Sequence, residues 1–333
     1  MERKTRNIGD GNFISAVTTA IRDLRAGGGA ELNPVSKDFR LDGKTCLVTG
    51  ANSGLGKAVA ADLARRGGKL IVACRPGHAS IRDEIRRMSG SDAVEMMAVD
   101  LADLASVHRF CDRLAERGIR IDIAVMNAGL MTRHAKKSAQ GFEMMFAVHF
   151  LANRVMVDRW LGDGIIQLGN QTGAVPRIVF ISSESHRSSD GIDFETPGAF
   201  TEFGIRECMR YYGLSKLALC TYATELSRRL NPDVRVDCAV HSMCPGGVAT
   251  NIARDAPKWL RPLVVPVLRR FFQSPAEAAK PVIYLCCTEE AGGSTGLYLH
   301  MMRRKSVSPQ AADPENGARL WRASEPMLVR PGE

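Results

Sequence analysis

No stretch of the chain reaches the 18 or so uninterrupted apolar residues of a membrane-spanning helix, and the basic start Met1-Glu2-Arg3-Lys4-Thr5-Arg6 runs into no apolar core of a secretory signal. The nine cysteines form no C-x-x-C pair and are odd in number. Neither a zinc site nor a complete disulfide framework is therefore expected, and the thiols read as reduced, in a reducing compartment. Aromatic residues make up only 6%, and the three Trp and five Tyr do not interleave with basic residues. With no continuous helical arginine stripe either, a nucleic-acid partner is not expected. Internal repeats and low-complexity tracts are also missing. The expectation is a soluble, cytoplasmic protein without a bound metal.

What is present is an ordinary globular composition, 45% hydrophobic and 24% charged over 333 residues, with a net charge of +9. From residue 44 onward, short runs rich in Val and Ile alternate with longer helical patterns, the rhythm of a parallel sheet with helices on both faces. The strands are expected at 45–49, 69–74, 94–99, 121–126, 177–181, 234–240 and 297–300. Runs such as Leu70-Ile71-Val72-Ala73 are nearly continuous, as strands buried on both faces should be. Helices are expected over 55–66 and 209–229, the first ending at Gly67-Gly68. The fold class is thus α/β, a single doubly wound parallel sheet of about seven strands spanning 44–305. An amphipathic arm over 1–43 precedes it, and a helix or tail over 306–333 follows.

The first strand runs directly into Thr49-Gly50-Ala51-Asn52-Ser53-Gly54-Leu55-Gly56 and then a helix. Glycines at such a turn let the backbone approach a pyrophosphate, which the free amides of the helix N-terminus then meet. The plainer reading is a tight turn without a ligand. At the end of the second strand the sequence reads Val72-Ala73-Cys74-Arg75, with no acid. A carboxylate there would bind ribose hydroxyls and repel a 2′-phosphate, whereas Arg75 would pair with it, so NADP(H) is favoured over NAD(H); Lys57 could add a second cation. Solvated charges are the alternative.

Tyr212-Gly213-Leu214-Ser215-Lys216 places a phenol and an ammonium four apart on one helical face. A phenol titrating near 10 is a poor base at neutral pH unless positive charge stabilises its phenolate, and Lys216 would supply that charge.

The T-G-x-x-x-G-x-G spacing of Gly50, Gly54 and Gly56, with Tyr212 and Lys216 in the right order along the strands, resembles the short-chain dehydrogenase/reductase family. The resemblance implies roles for further residues. Gly50, Asn52, Ser53, Gly54, Leu55 and Gly56 would hold the cofactor, Asp100 and Leu101 its adenine, and Asn127-Ala128-Gly129 would line the cleft. Pro245, Gly246, Val248 and Thr250-Asn251 would pack against the nicotinamide. Ser183, in Ile178-Val179-Phe180-Ile181-Ser182-Ser183, would hydrogen-bond the substrate oxygen while Tyr212 moves the proton. As a strand-end residue, Ser183 could equally be a turn. Where many members carry an Asn that holds a relay water, this chain has His149, with Asn153 one turn later. Either offers a donor and an acceptor, and a packed core histidine is the alternative.

Ser182-Ser183-Glu184-Ser185-His186-Arg187, Gly191-Ile192-Asp193-Phe194 and Asp313-Pro314-Glu315 are similar to the retinol dehydrogenase and WW-domain oxidoreductase branch, although no WW domain is present. That branch implies alcohol–carbonyl interconversion on a lipophilic substrate such as a retinoid, steroid or lipid aldehyde. The competing reading is a cofactor-binding sensor or scaffold without turnover. Residues 254–274 fall at the family's substrate lid and carry Arg254, Lys258, Arg261, Arg269 and Arg270 against Asp255, net +4, among apolar residues; Arg303-Arg304-Lys305 adds +3. Such a lid suits peripheral contact with an anionic membrane as well as it suits a subunit or core contact. The family commonly pairs through the helices of its fourth and fifth crossovers, implying a homo-oligomer, dimer or tetramer.

Overall fold

Thr45–Thr49 (β1), Lys69–Cys74 (β2), Val94–Ala98 (β3), Ile123–Met126 (β4), Arg177–Ile181 (β5), Ala239–Cys244 (β6) and Tyr298–His300 (β7) pair in parallel in the order β3-β2-β1-β4-β5-β6-β7. An eighth strand, Arg303–Lys305 (β8), folds back antiparallel onto β7. The structure is a computed structural model describing residues 31–169, 175–247 and 273–330. The amphipathic run of the arm, residues 254–272 of the lid, Val248 and Thr250-Asn251 lie outside the described residues.

Between β1 and β4 the strand order reverses. This is the switch point at whose carboxyl edge a crevice opens in doubly wound sheets. Residues alternate along each strand between two apolar layers. Leu47, Ile71, Ala124, Ile178 and Val240 pack under Leu104–Glu116 (α3), Ala152–Gly162 (α5) and Cys208–Leu230 (α6). Cys46, Val72, Val125, Val179 and Met243 pack under Gly54–Arg65 (α1), Ser80–Ser89 (α2) and Pro275–Cys287 (α7). Burial on both faces explains why these strands read as continuous apolar runs. All nine thiols are free and buried. No helix among the described residues is long and apolar enough to cross a membrane.

Two departures from the sequence pattern have local causes. The sixth strand is Ala239–Cys244 rather than 234–240, because the Asn231 side chain ties the preceding segment into a turn. Its carbonyl accepts from the amides of Asp237 and Cys238 at 2.7 and 3.0 Å, and its amide donates to Ser227 and Cys238 carbonyls. The eighth strand is an addition to the expected seven. Its cations pair with acids elsewhere in the chain, since Arg303 faces Glu31, Arg304 pairs with Glu290 and Lys305 with Glu184. A charged edge of this kind blunts the open side of the sheet.

A short helix, Glu289–Gly292 (α8), follows α7, and past β8 the chain forms Pro309–Ala312 (α9) and Pro314–Ser324 (α10). Trp321 of α10 lies against Arg154, whose guanidinium is 3.8 Å from the indole centroid, and Arg229, at 4.2 Å, so the tail is fastened over α5 and α6 by cation–π stacking.

Candidate active site

At the switch point the β1–α1 turn meets the loop after β4 through backbone contacts that leave no spare volume. The Thr49 hydroxyl accepts from the amides of Asn127 and Ala128 at 2.9 and 3.0 Å, and the Asn127 side chain donates to the Thr49 and Gly50 carbonyls at 2.9 and 3.2 Å. Gly50 has φ +65°, and a Cβ there would lie 2.8 Å from the Ala128 backbone; one on Gly56 would lie 2.3 Å from the Asn127 amide. Only glycine fits either place. Ser53 is the N-cap of α1, yet its hydroxyl makes no capping bond. The amides of Gly54, Leu55 and Gly56 likewise find no acceptor among the described residues. An uncapped first turn of free donors suits an anion such as a pyrophosphate.

Tyr212 and Lys216 lie one turn apart on α6, beside the end of β5. Lys216 is buried and donates to the Ile181 carbonyl at 2.9 Å; burial pushes its ammonium down to about 8. Burial pushes the Tyr212 phenol up to about 12, while the neighbouring Ser183 hydroxyl pulls it back. Ser183 is thus brought to Tyr212 as the sequence order implies. Its hydroxyl donates to Ser185 Oγ at 3.1 Å and accepts from the Ser185 amide at 3.2 Å, capping the 3-10 turn Glu184–Ser188. Gly213, next to Tyr212, lets α6 press on this turn, since a Cβ there would meet the Ser185 carbonyl at 2.8 Å.

His149 sits fully buried in a π-helical turn, Ala147–Leu151, between Met144–Phe146 (α4) and α5. Its Nε2 accepts the Leu130 amide at 3.0 Å, and Nδ1 lies 2.8 Å from Ser215 Oγ, which itself donates to the Tyr212 carbonyl. This network assigns the neutral Nδ1-protonated ring, and burial beside Lys216 holds its titration well below the usual range. The ring stands edge-on to Tyr212 with centroids 5.5 Å apart. Gly129 is what permits the approach, because a Cβ there would be 3.2 Å from His149 Nε2. Asn153 donates to the His149 carbonyl at 2.7 Å, and its buried Oδ1 has no hydrogen-bond partner among the described residues.

Comparison with known proteins accounts for this arrangement. The family model for short chain dehydrogenase matches residues 44–190. Retinol dehydrogenase 14 of Mus musculus is 34% identical over 302 residues, covering 86% of this chain and 86% of that protein. Retinol dehydrogenase 13 of Homo sapiens is 33% identical over 300 residues, covering 86% and 85%. The chain belongs to the short-chain dehydrogenase/reductase family. Among solved structures, an uncharacterized protein from Mycobacterium paratuberculosis superposes with a TM-score of 0.67 at 25% identity, over 89% of this chain and 98% of that one. This family member is therefore a retinol dehydrogenase-like oxidoreductase with a Rossmann fold.

Other positions expected from the family pattern fall around the same edge. Asp100 follows β3, where its Oδ1 accepts the Ala102 amide and its own amide donates to Ser106, and Leu101 beside it is buried. Pro245 and Gly246 leave β6 with Gly246 at φ +74°, packed on Met301. Arg75 directly follows β2 and is exposed, with no ion pair among the described residues, whereas Lys57 pairs with Glu84 at 3.0 Å. Sequence reasoning passed over Ser215, which links His149 to the Tyr212 carbonyl, and Glu184, a buried acid directly after Ser183. Glu184 lies within the stretch that carries the branch resemblance, but no role attaches to it there. Among the described residues no group of three His, Cys, Asp or Glu side chains could hold a metal ion.

Proposed function

We propose that this protein is an NADP(H)-dependent oxidoreductase that interconverts an alcohol and a carbonyl on a lipophilic molecule, with Tyr212 as the general acid and base. The observation that carries the reading is the grouping of Tyr212, Lys216 and Ser183 at the same sheet edge as the uncapped start of α1. A bound nicotinamide supplies or accepts the hydride. Ser183 orients the substrate oxygen toward the phenol, and Tyr212 gives its proton to a carbonyl or takes one from an alcohol. The Lys216 ammonium lowers the cost of the phenolate, which burial alone makes high.

The walls beside the phenol support a lipophilic substrate. Leu130, Met145, Phe203 and Tyr211 pack next to Tyr212, with the Phe203 and Tyr211 rings stacked at 4.2 Å. Met131, Ile205 and Met209, each within a few residues of one of these in sequence, are exposed apolar side chains. Arg75 without a neighbouring carboxylate supports NADP(H). Peripheral contact with an anionic membrane through 254–274, and assembly as a dimer or tetramer, complete the proposal; liposome co-sedimentation and sedimentation velocity test them.

A second reading, cofactor binding without turnover, is favoured by His149, whose two ring nitrogens are both committed. The open acceptor for a relay water is then Asn153 Oδ1 rather than His149. A panel of retinoid, steroid and long-chain aldehydes, ketones and alcohols, read by NADPH consumption or formation, decides between them. Turnover of any member supports the enzyme; tight NADPH binding with none supports the second reading.

A further inference from the structure

The acid after Ser183 has an unusual set of partners for a residue at a strand end. Glu184 is buried, and its carboxylate accepts from the Tyr298 hydroxyl at 2.6 Å, pairs with Lys305 and with Arg187 at 3.0 Å, and lies 3.9 Å from His300 Nδ1. Tyr298, His300 and Lys305 all belong to β7 and β8, more than a hundred residues further along the chain. The same segment grips the turn a second time, because His186 Nε2 accepts the Ser308 amide at 3.0 Å while its Nδ1 hydrogen-bonds the Ser183 carbonyl at 2.7 Å. The turn that carries Ser183 is thus clamped between α6, through Gly213, and the β7–β8 hairpin.

Resting on the reading of Ser183 given above, we propose that Glu184 is a positioning residue, whose ion pairs to the β7–β8 hairpin set where the Ser183 hydroxyl stands relative to Tyr212. Glu184 touches neither substrate nor cofactor in this account. Its charge is what matters: an amide of the same shape keeps the Tyr298 bond but leaves Lys305 and Arg187 unpaired, so the turn shifts and carries Ser183 with it. The lever acts only through Ser183, which gives it a signature that general destabilisation lacks.

The test is a double-mutant cycle with NADPH and decanal, combined with amide hydrogen exchange. Glu184→Gln is expected to lower kcat by about tenfold or more, leaving KM and the NADPH Kd within about twofold. In a Ser183→Ala background the same change is expected to alter kcat by less than about twofold, because the hydroxyl it positions is gone. Independently of turnover, the amides of Ser185 and His186, which donate to Ser183 Oγ and to its carbonyl, should exchange faster in Glu184→Gln while α1 and α6 are unchanged. An equal loss of kcat in both backgrounds, or unaltered exchange at those two amides, overturns the proposal. Should Glu184→Gln not fold, Lys305→Met pulls the same lever with Tyr298 and Arg187 left in place, and the same outcomes apply. If instead Ser183→Ala alone keeps full turnover, the reading of Ser183 fails, and the exchange result still judges Glu184.

Discussion

Replacing Arg75 by alanine tests the choice of cofactor at a single exposed side chain. Arg75 makes no ion pair among the described residues, so its loss should leave the fold untouched and change only what approaches the end of β2. A charge-assisted bond to a phosphate contributes roughly 1.5–3 kcal/mol. Solvent exposure places this one in the lower half of that range, about 1.5–2.2 kcal/mol, or roughly a 12- to 40-fold change in Kd. Titration of wild type and Arg75→Ala with NADPH and NADH should show NADPH binding weakened by that factor and NADH unchanged within about twofold. The gap should narrow as salt rises, because an exposed contact is screened. Equal NADPH affinity in the two proteins, or tighter NADH binding by the wild type, refutes the argument from Arg75.

Lys216 sets an alkaline limit on reduction. Its ammonium is held at about 8, below the usual lysine value, and the charged form is the one that supports the phenolate, so kcat should fall as pH rises through that region. In Lys216→Arg, whose guanidinium stays charged, any residual activity should lose this limb; a pH profile with the limb intact contradicts the assignment. Gly56→Ala would place a methyl 2.6 Å from the Gly50 carbonyl as well as against Asn127. Overpacking of this kind costs about 1–3 kcal/mol, which for a domain of this size lowers Tm by roughly 2–10 °C, and NADPH affinity should fall with it. A calorimetric Tm and Kd equal to wild type would show that the turn is not as tight as described.

The strands of the first half were legible because burial on both faces demands uninterrupted apolar runs, and Leu70–Ala73 could hardly be anything else. Ala239–Cys244 was harder to place because it buries His241 and Ser242, and His241 is satisfied only by distant partners, the Ala291 carbonyl at 2.9 Å and the Leu297 amide at 3.3 Å. Three consecutive cations at Arg303–Lys305 read as a basic patch, yet each finds an acid remote in sequence and the segment becomes a strand. The site divides in the same way. Gly50, Gly56, Tyr212 and Lys216 could be named because local spacing encodes their roles. The π-helical turn around His149 and the clamp on Glu184 depend on contacts with Leu130, Ser215, Tyr298 and Lys305, for which no local pattern exists.

Tyr212→Phe tests the central claim most directly, because it removes one oxygen and leaves the packing of the ring beside His149 in place. Measured side by side with wild type, NADPH Kd should stay within about threefold, while NADPH-dependent reduction of any substrate found in the panel should fall by roughly 10²–10⁴. Turnover retained by the Phe variant would contradict the assignment of Tyr212 as the proton-transfer residue, and with it the mechanism proposed here.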